Sequence, residues 1–264
     1  MKKLIILAIL FMFSLSLYSG IQWTSKITTT GKKKRDQNQI ISTVSAQDGI
    51  VRQDFIEVKR KQGMYKKNSY WIYNSKDNMI YIVDPKKKTV TPMSMDYLLN
   101  MAHMANKLVK IRIEDYSAKS KKLPSEKVMG YACNHVKLIT EYKMKMKITI
   151  IKKSFHIYEE KEIWGSRNVK GLNNLNKMFL NKNFKTGFED LDELIRKQMA
   201  QHKNIGFPLK TIVKQIYKNK KGKIKSETVT TTVVEDIKIK KFPKSHFEVP
   251  ADYKTNDPLQ GPQK

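Results

Sequence analysis

Apolar and polar residues alternate most regularly after Gly130. There Val136, Leu138, Tyr142, Met144, Met146, Ile148 and Ile150 share one parity, while Lys137, Glu141, Lys143, Lys145, Lys147 and Thr149 share the other. A period of two places the first set on one side of a strand and the second on the other, as a half-buried antiparallel sheet requires; on a helix the same lysines would scatter around every face. After Lys152-Lys153-Ser154, Phe155, Ile157 and Ile163 fall on one parity in a second long strand reaching Trp164, so the economical reading is a long β-hairpin.

The segment Ile21 to Pro92 also reads as β structure. Phe55-Ile56-Glu57-Val58, Tyr70-Trp71-Ile72-Tyr73 and Met79-Ile80-Tyr81-Ile82-Val83 are β-branched and aromatic runs separated by turn-forming residues. Asp84 can close an Asx turn and Pro85 presets φ for the next position, which predicts a reversal into Thr89-Val90-Thr91. The period then lengthens: Ser94 can cap a helix in which Leu98, Met101 or Ala102, Ala105, and Leu108 or Val109 recur every three to four residues. Gly171 to Gly206 is helical again, with stripes Leu172, Leu175, Met178, Phe179 and Phe188, Leu191, Leu194, Ile195, Met199, and Thr186-Gly187-Phe188-Glu189 fits a capping box. Strands return in Leu209 to Tyr217 and Ser226 to Ile239. The chain closes on Phe247-Glu248-Val249-Pro250, followed by an expected flexible tail over residues 252–264. Strands, a helix, long strands, helices and strands again predict one α+β domain over residues 21–251, built on a large antiparallel sheet.

The first residues follow a different grammar. Lys2 and Lys3 precede an apolar run from Leu4 to Leu17 broken only by Ser14 and Ser16, and polar Gln22, Thr24, Ser25 and Lys26 arrive too early for a membrane-spanning helix. Residues 1–20 therefore read as a signal peptide cleaved near Ser19 or Gly20. The mature protein is expected to be exported, in the periplasm or associated with the cell envelope.

Several short segments, in order, carry a resemblance: Ile80-Tyr81-Ile82-Val83-Asp84-Pro85-Lys86-Lys87-Lys88, Gly130-Tyr131-Ala132-Cys133, Glu162-Ile163-Trp164, Gly206-Phe207-Pro208-Leu209-Lys210 and Phe247-Glu248-Val249-Pro250-Ala251-Asp252-Tyr253. With these the chain resembles secreted bacterial proteins of the DUF4412 family, themselves similar to the outer-membrane lipoprotein carrier (LolA/LolB-like) superfamily. The resemblance implies a curved, incompletely closed antiparallel β-barrel with helices lidding a hydrophobic concavity that accepts acyl chains in the carriers. It brings no catalytic motif. Trp71, Tyr81, Leu98, Met101, Met144, Met146, Ile148 and Trp164 are the candidate residues for such a ligand cavity.

Composition narrows the partners. Of 264 residues 40% are hydrophobic and 29% charged, which excludes a fully disordered or collagen-like chain. The 52 Lys and Arg against 24 Asp and Glu give a net charge of +28, so the surface carries a positive field. Only six of those basic residues are Arg, the usual bidentate reader of phosphate and base edges. Specific nucleic-acid binding is disfavoured, and the lysines read as solubility, protection of sheet edges, or attraction to an anionic membrane surface.

No reaction is spelled out. A single cysteine, Cys133, excludes an internal disulfide and any multi-thiolate zinc site. Cys133 and His135 share a strand face at i and i+2, but two ligands make no metal site, and a buried structural thiol is the simpler reading. His103, His156, His202 and His246 are scattered outside any recognised catalytic spacing, and the acidic residues Glu189, Asp190, Asp192 and Glu193 suit a first helical turn. Catalytic residues, metal and cofactor are thus expected to be none. The preferred expectation is an exported non-enzymatic carrier or sensor for a lipid, acylated or other apolar ligand. The rivals are an envelope structural or protein-interaction module without a small ligand, and an envelope hydrolase with an unrecognised site.

Overall fold

The computed structural model describes residues 20–60, 65–94, 109–148, 150–169, 171–172, 186–201 and 205–257. Residues 1–19 of the expected signal peptide 1–20, the predicted helix over 95–108 with Leu98 and Met101, the stripe residues Leu175, Met178 and Phe179, and residues 258–264 lie outside them.

Two meanders make one open sheet. The first contains β1 (Gly20–Gly31), β2 (Asn38–Gln47), β3 (Ile50–Val58), β4 (Tyr70–Asn74), β5 (Met79–Asp84) and β6 (Thr89–Ser94). The second contains β7 (Val109–Val128), β8 (Tyr131–Ile148), β9 (Ile151–Ser166), β10 (Phe207–Asn219) and β11 (Ile224–Lys240), and β12 (Lys254–Thr255) follows. The spatial order is β12-β6-β5-β4-β3-β2-β1-β11-β10-β9-β8-β7, with β1 pairing β11 to join the meanders and, among the described strands, β12 alone running parallel to its neighbour β6. The sheet is curved and unclosed, an incomplete barrel with a helix, α1 (Glu189–Gln201), as its lid.

The curvature has a local cause. Register shifts interrupt β1–β11, β2–β3, β7–β8 twice, β9–β10 and β10–β11, and each extra residue bends its strand and increases its twist. The hairpins follow turn chemistry: Asp48-Gly49 and Met129-Gly130 both take positive φ at two successive positions, as tight hairpins with the natural strand twist require. The expected reversal forms as a β-turn and not as an Asx turn: Lys87 N, three residues on, donates to Asp84 O and to Asp84 Oδ1, both at 3.2 Å, before the chain enters β6.

The largest core cluster joins the two meanders: Ile21, Trp23, Val44 and Val51 meet Cys133, Trp164, Phe207, Leu209 and Val234. Tyr70, Ile72, Val83 and Val90 form a second cluster, against which Val249 and Tyr253 pack. Within the segment expected as a tail, β12 bonds β6, with Lys254 N donating to Lys88 O at 2.9 Å and Asn256 N to Val90 O at 2.7 Å.

Strand β7 corrects one expectation and fills a gap. Val109, placed by its spacing at the end of a helix, opens a strand at the sheet edge. The strand is hard to see because its half-buried positions change parity: Val109, Ile111 and Ile113 precede an irregularity at Asp115-Tyr116, after which Tyr116 and Ala118 take over. Lysines 119, 121 and 122 and Pro124 along the outer strand suit an edge that must not pair with another chain.

Candidate functional site

The site is assembled on β7, β8, β9 and β10 beneath α1. Tyr142, Met144 and Met146 on β8 pair with Ile157, Phe155 and Lys153 on β9, and Met144 and Met146 pair with Ile113 and Ile111 on β7. Paired residues share a face, so these side chains line one side of the sheet. Leu194, 4% exposed, inserts from α1 against Tyr142 and Ile157, with Leu191, Tyr116 and Tyr217 around them.

Polar contacts fix the helix. Thr186 N and Oγ1 both donate to Asp192 Oδ1, at 2.5 and 2.6 Å, so the cap partner is Asp192 and not the Glu189 of the expected capping box. Gly187 at φ +80° turns the chain between Thr186 and the helix, which moves the cap's reach one turn onward. Asp190 Oδ2 accepts the Ile113 N–H at 2.9 Å and covers a donor on the β7 edge. The acidic first turn thus does more than complement the helix dipole.

Beyond the Leu194 contact the same sheet face stays partly open. Ile111, Ile113, Met144, Met146 and Phe155 are half-buried, while Lys143, Lys145 and Lys147 are exposed. The strip continues to Ile148, 37% exposed, at the end of β8. Its floor is not wholly apolar. Thr140 pairs with Glu159, and Glu159 with Gln215, whose Nε2 donates to Glu159 Oε2 at 2.6 Å. Thr140 Oγ1 and Gln201 Oε1 are buried without a hydrogen-bond partner among the described residues.

Burial beneath the helix pushes the Tyr142 phenol up to about 12, with Tyr217, Glu159 and Tyr116 reinforcing the shift; burial also raises Tyr217 and Tyr116. The folded state therefore holds its proton more tightly than the unfolded chain. Tyr142's contribution is complete below about pH 10 and is lost as pH rises from about 10 to about 12, an effect of roughly 2 kcal/mol. Alkaline unfolding followed by circular dichroism should show this loss, and Tyr142→Phe should flatten it over that window; coincident wild-type and variant profiles would contradict the assignment.

Leu98 and Met101 lie outside the described residues, and the six candidates that are described do not share one cavity. Met144, Met146 and Ile148 lie together on the strip. Trp164 is in the main core, its ring stacked on His135 at 4.1 Å. Trp71 pairs with Ile82 whereas Tyr81 pairs with Ile72, so Trp71 and Tyr81 face opposite sides of the sheet. Trp71 packs on Phe55 and Tyr65, and Tyr81 on the cluster covered by Val249 and Tyr253. Tyr142, Leu191 and Leu194 stand in the parity set and the helical stripe, and Tyr217 at the end of an expected strand, but none was among the cavity candidates, because no local signal says which helix lands on which strands.

Two other constellations bear on chemistry. His135 is 5% exposed, with Nε2 3.2 Å from Glu162 Oε2 and Nδ1 3.3 Å from Glu126 Oε1; the second contact lacks hydrogen-bond geometry. Trp164 Nε1 donates to Glu126 Oε2 at 3.1 Å, and Lys210 Nζ sits 4.4 Å over the Trp164 ring. Cys133 is buried in the main core, its Sγ bonding Tyr131 O at 3.4 Å, and burial pushes the thiol up, away from the reactive thiolate. No group of three or more potential metal ligands occurs among the described residues. An open cavity of about 720 Å³ lies between the ends of β1 and β3, lined by Thr28 to Thr30, Lys34, Gln37 to Gln39, Lys59 and Arg60, with three basic residues among them. Its walls are tied by Arg60, which donates from Nη1 to Lys34 O and from its backbone N to Asn38 Oδ1.

The family model for Domain of unknown function (DUF4412) matches residues 46–253, which span most of the sheet and α1. No curated protein matches the chain. Among solved structures, an uncharacterised conserved protein from Thermus thermophilus aligns over 95% of this chain and 97% of its own, at 10% identity and a TM-score of 0.35. PNGF-II aligns over 91% of this chain and 32% of its own, at 12% identity and 0.33. A domain assigned to outer-membrane lipoprotein sorting, from Vibrio parahaemolyticus, aligns over 87% and 88%, at 10% identity and 0.29. Similarity of this size carries no argument about activity.

Proposed function

The chain belongs to the DUF4412 family, and for this member we propose a non-enzymatic role: an exported carrier or sensor that holds an acyl chain or another apolar ligand between the sheet and α1. The observation that carries the reading is the half-buried strip of Ile111, Ile113, Met144, Met146 and Phe155, which runs on from the helix contact instead of being sealed by it. Burying such a strip under a ligand is favourable at about 25 cal/mol per Å² of apolar surface. Methionines suit irregular ligands because their thioethers repack readily. Thr140 Oγ1 and Gln201 Oε1, without a partner among the described residues, supply polar contacts for the head of an amphiphile.

Titration with a fluorescent fatty acid tests this. Wild type should bind saturably, and Met146→Trp, which fills the strip without adding charge, should weaken binding about tenfold while melting changes little. If the strip is only core, overpacking should instead cost roughly 1 to 3 kcal/mol of stability with no separable binding defect. Lys145→Gln, on the opposite side of β8, serves as the control: it gives up only an exposed ion pair with Glu114 and should leave binding unchanged and melting nearly so.

Export belongs to the same reading. Gly20 pairs with Lys240 in β1, where a Cβ would come within 2.9 Å of Lys240 O and 2.8 Å of Phe242 Cδ2. Cleavage between Ser19 and Gly20 leaves β1 whole. Amino-terminal sequencing of the protein from its host should begin at Gly20; a retained Met1 would overturn this.

A further inference from the structure

We propose that one end of the sheet docks on an anionic lipid bilayer, with the β8–β9 turn inserting into it. The antiparallel register puts three hairpin ends at the same end of the sheet, stepped along it. Gly31, before the β1–β2 connection, pairs with Thr228 near the start of β11; Asn219, at the β10–β11 turn, pairs with Phe155; and β8–β9 runs on beyond that pair to the tip, where Ile148 pairs with Ile151. In the strand order these hairpins are successive neighbours.

The tip is built unlike an ordinary solvated turn. Ile150 is 90% exposed, Ile151 54% and Ile148 37%, and Ile224 on the adjacent turn is 45% exposed. Lys147, Lys152 and Lys153 surround the isoleucines, all exposed and without a carboxylate partner among the described residues. Lysines 220, 221, 223 and 225 are likewise exposed on the adjacent turn, and Lys32 to Lys34 follow on the next. Of the carboxylates there, Glu227 is engaged by Lys32 at 3.6 Å and Lys214 at 3.4 Å.

Water is a poor solvent for three isoleucines at a hairpin tip, and lysines around them select a surface that is both apolar within and negative at its face. A bilayer with anionic headgroups has both properties: the isoleucines reach the acyl region while the lysine stems extend to the phosphates. A soluble polyanion would use the lysines and leave the isoleucines in water, so the exposed apolar residues favour the bilayer. Docking there brings the open end of the Met144–Ile148 strip against the membrane, a route for an acyl chain into the cleft. That last step rests on the carrier reading, whereas docking itself does not.

Co-sedimentation of the ligand-free mature protein with vesicles tests docking independently of cargo. Vesicles of phosphatidylcholine with roughly 30% phosphatidylglycerol should pellet the protein, and phosphatidylcholine alone should not. Ile150→Asp should reduce the partition coefficient at least tenfold, and replacement of Lys147, Lys152 and Lys153 by Gln should do the same at low salt. Ile150→Trp should keep binding, with its fluorescence shifted to the blue and quenched by brominated acyl chains. No binding to the anionic vesicles would overturn the proposal. Binding that Ile150→Asp leaves intact and that soluble polyphosphate abolishes would also overturn it, in favour of a polyanion surface. The turn residue is exposed, so loss of fold is separable by melting each variant alongside wild type.

Discussion

Replacing Gly206 with alanine should destabilise the fold by roughly 3 kcal/mol or more, because two costs coincide there. Its φ of +93° lies in the left-handed region, and a Cβ would sit 2.6 Å from Ser166 C and O and 2.9 Å from Arg167 N, all backbone atoms that cannot swing aside. The same crossing is tight from the other side: a Cβ on Gly165 would meet Ile205 O and Cγ2 at 2.6 Å. Gly222 separates the contributions, with φ at +76° and nothing within 4 Å, so its alanine variant should lose only about 1 kcal/mol. Urea unfolding of the three variants should rank Gly206 worst, then Gly165, then Gly222. Equal losses at Gly206 and Gly222 would mean that the 205–206 segment does not cross the end of β9 closely.

Leu194→Ala should cost roughly 2 to 4 kcal/mol, the usual range for a buried leucine that leaves a cavity. The loss should be local. Leu194 is the residue of α1 that is fully buried, and the strands beneath it keep their own hydrogen bonds through β7–β8 and β8–β9 pairing. Hydrogen exchange should therefore accelerate in α1 and at the Ile113 N–H bonded to Asp190, while β1, β2 and β11 remain protected. In the carrier reading the loosened lid should also speed release of a bound fatty acid, visible in stopped-flow displacement. Uniform acceleration of exchange over the whole sheet would show that the helix is integral to the fold and not a lid.

The long central strands were legible because period-two alternation is a local property: Lys143, Lys145 and Lys147 alternate with Met144 and Met146, and no neighbour was needed to read it. The Asp84-Pro85 reversal was legible for the same reason. Strand β7 was not, since the irregularity at Asp115-Tyr116 moves its half-buried positions to the other parity and its outer half is rich in lysine and serine. The pairing of β1 with β11 depends on residues some two hundred positions apart, as in the Thr29–Thr230 hydroxyl contact, and nothing local encodes it.

The candidate site was legible only in part, and for the same physical reason. Met144, Met146 and Ile148 were found by parity, but parity within one strand does not say which distant strand supplies the opposite wall. Trp71, Tyr81 and Trp164 are large apolar residues of the kind that line cavities; the register sends the first two to opposite faces and Trp164 into the main core beside Cys133. Tyr142 and Leu194 complete the site through a helix-to-sheet contact about fifty residues apart in the chain. The capping residue Asp192 was similarly hidden, because the usual spacing pointed to Glu189 and the turn at Gly187 displaced the partner.

Native mass spectrometry of the mature protein purified from its own host reads directly whether the partly open strip beneath α1 holds an apolar ligand. If it does, the polypeptide should carry an added mass in the lipid range that is displaced by excess fatty acid and diminished in Met146→Trp. A bare polypeptide mass, in a preparation that also fails to take up added fatty acid, would contradict it.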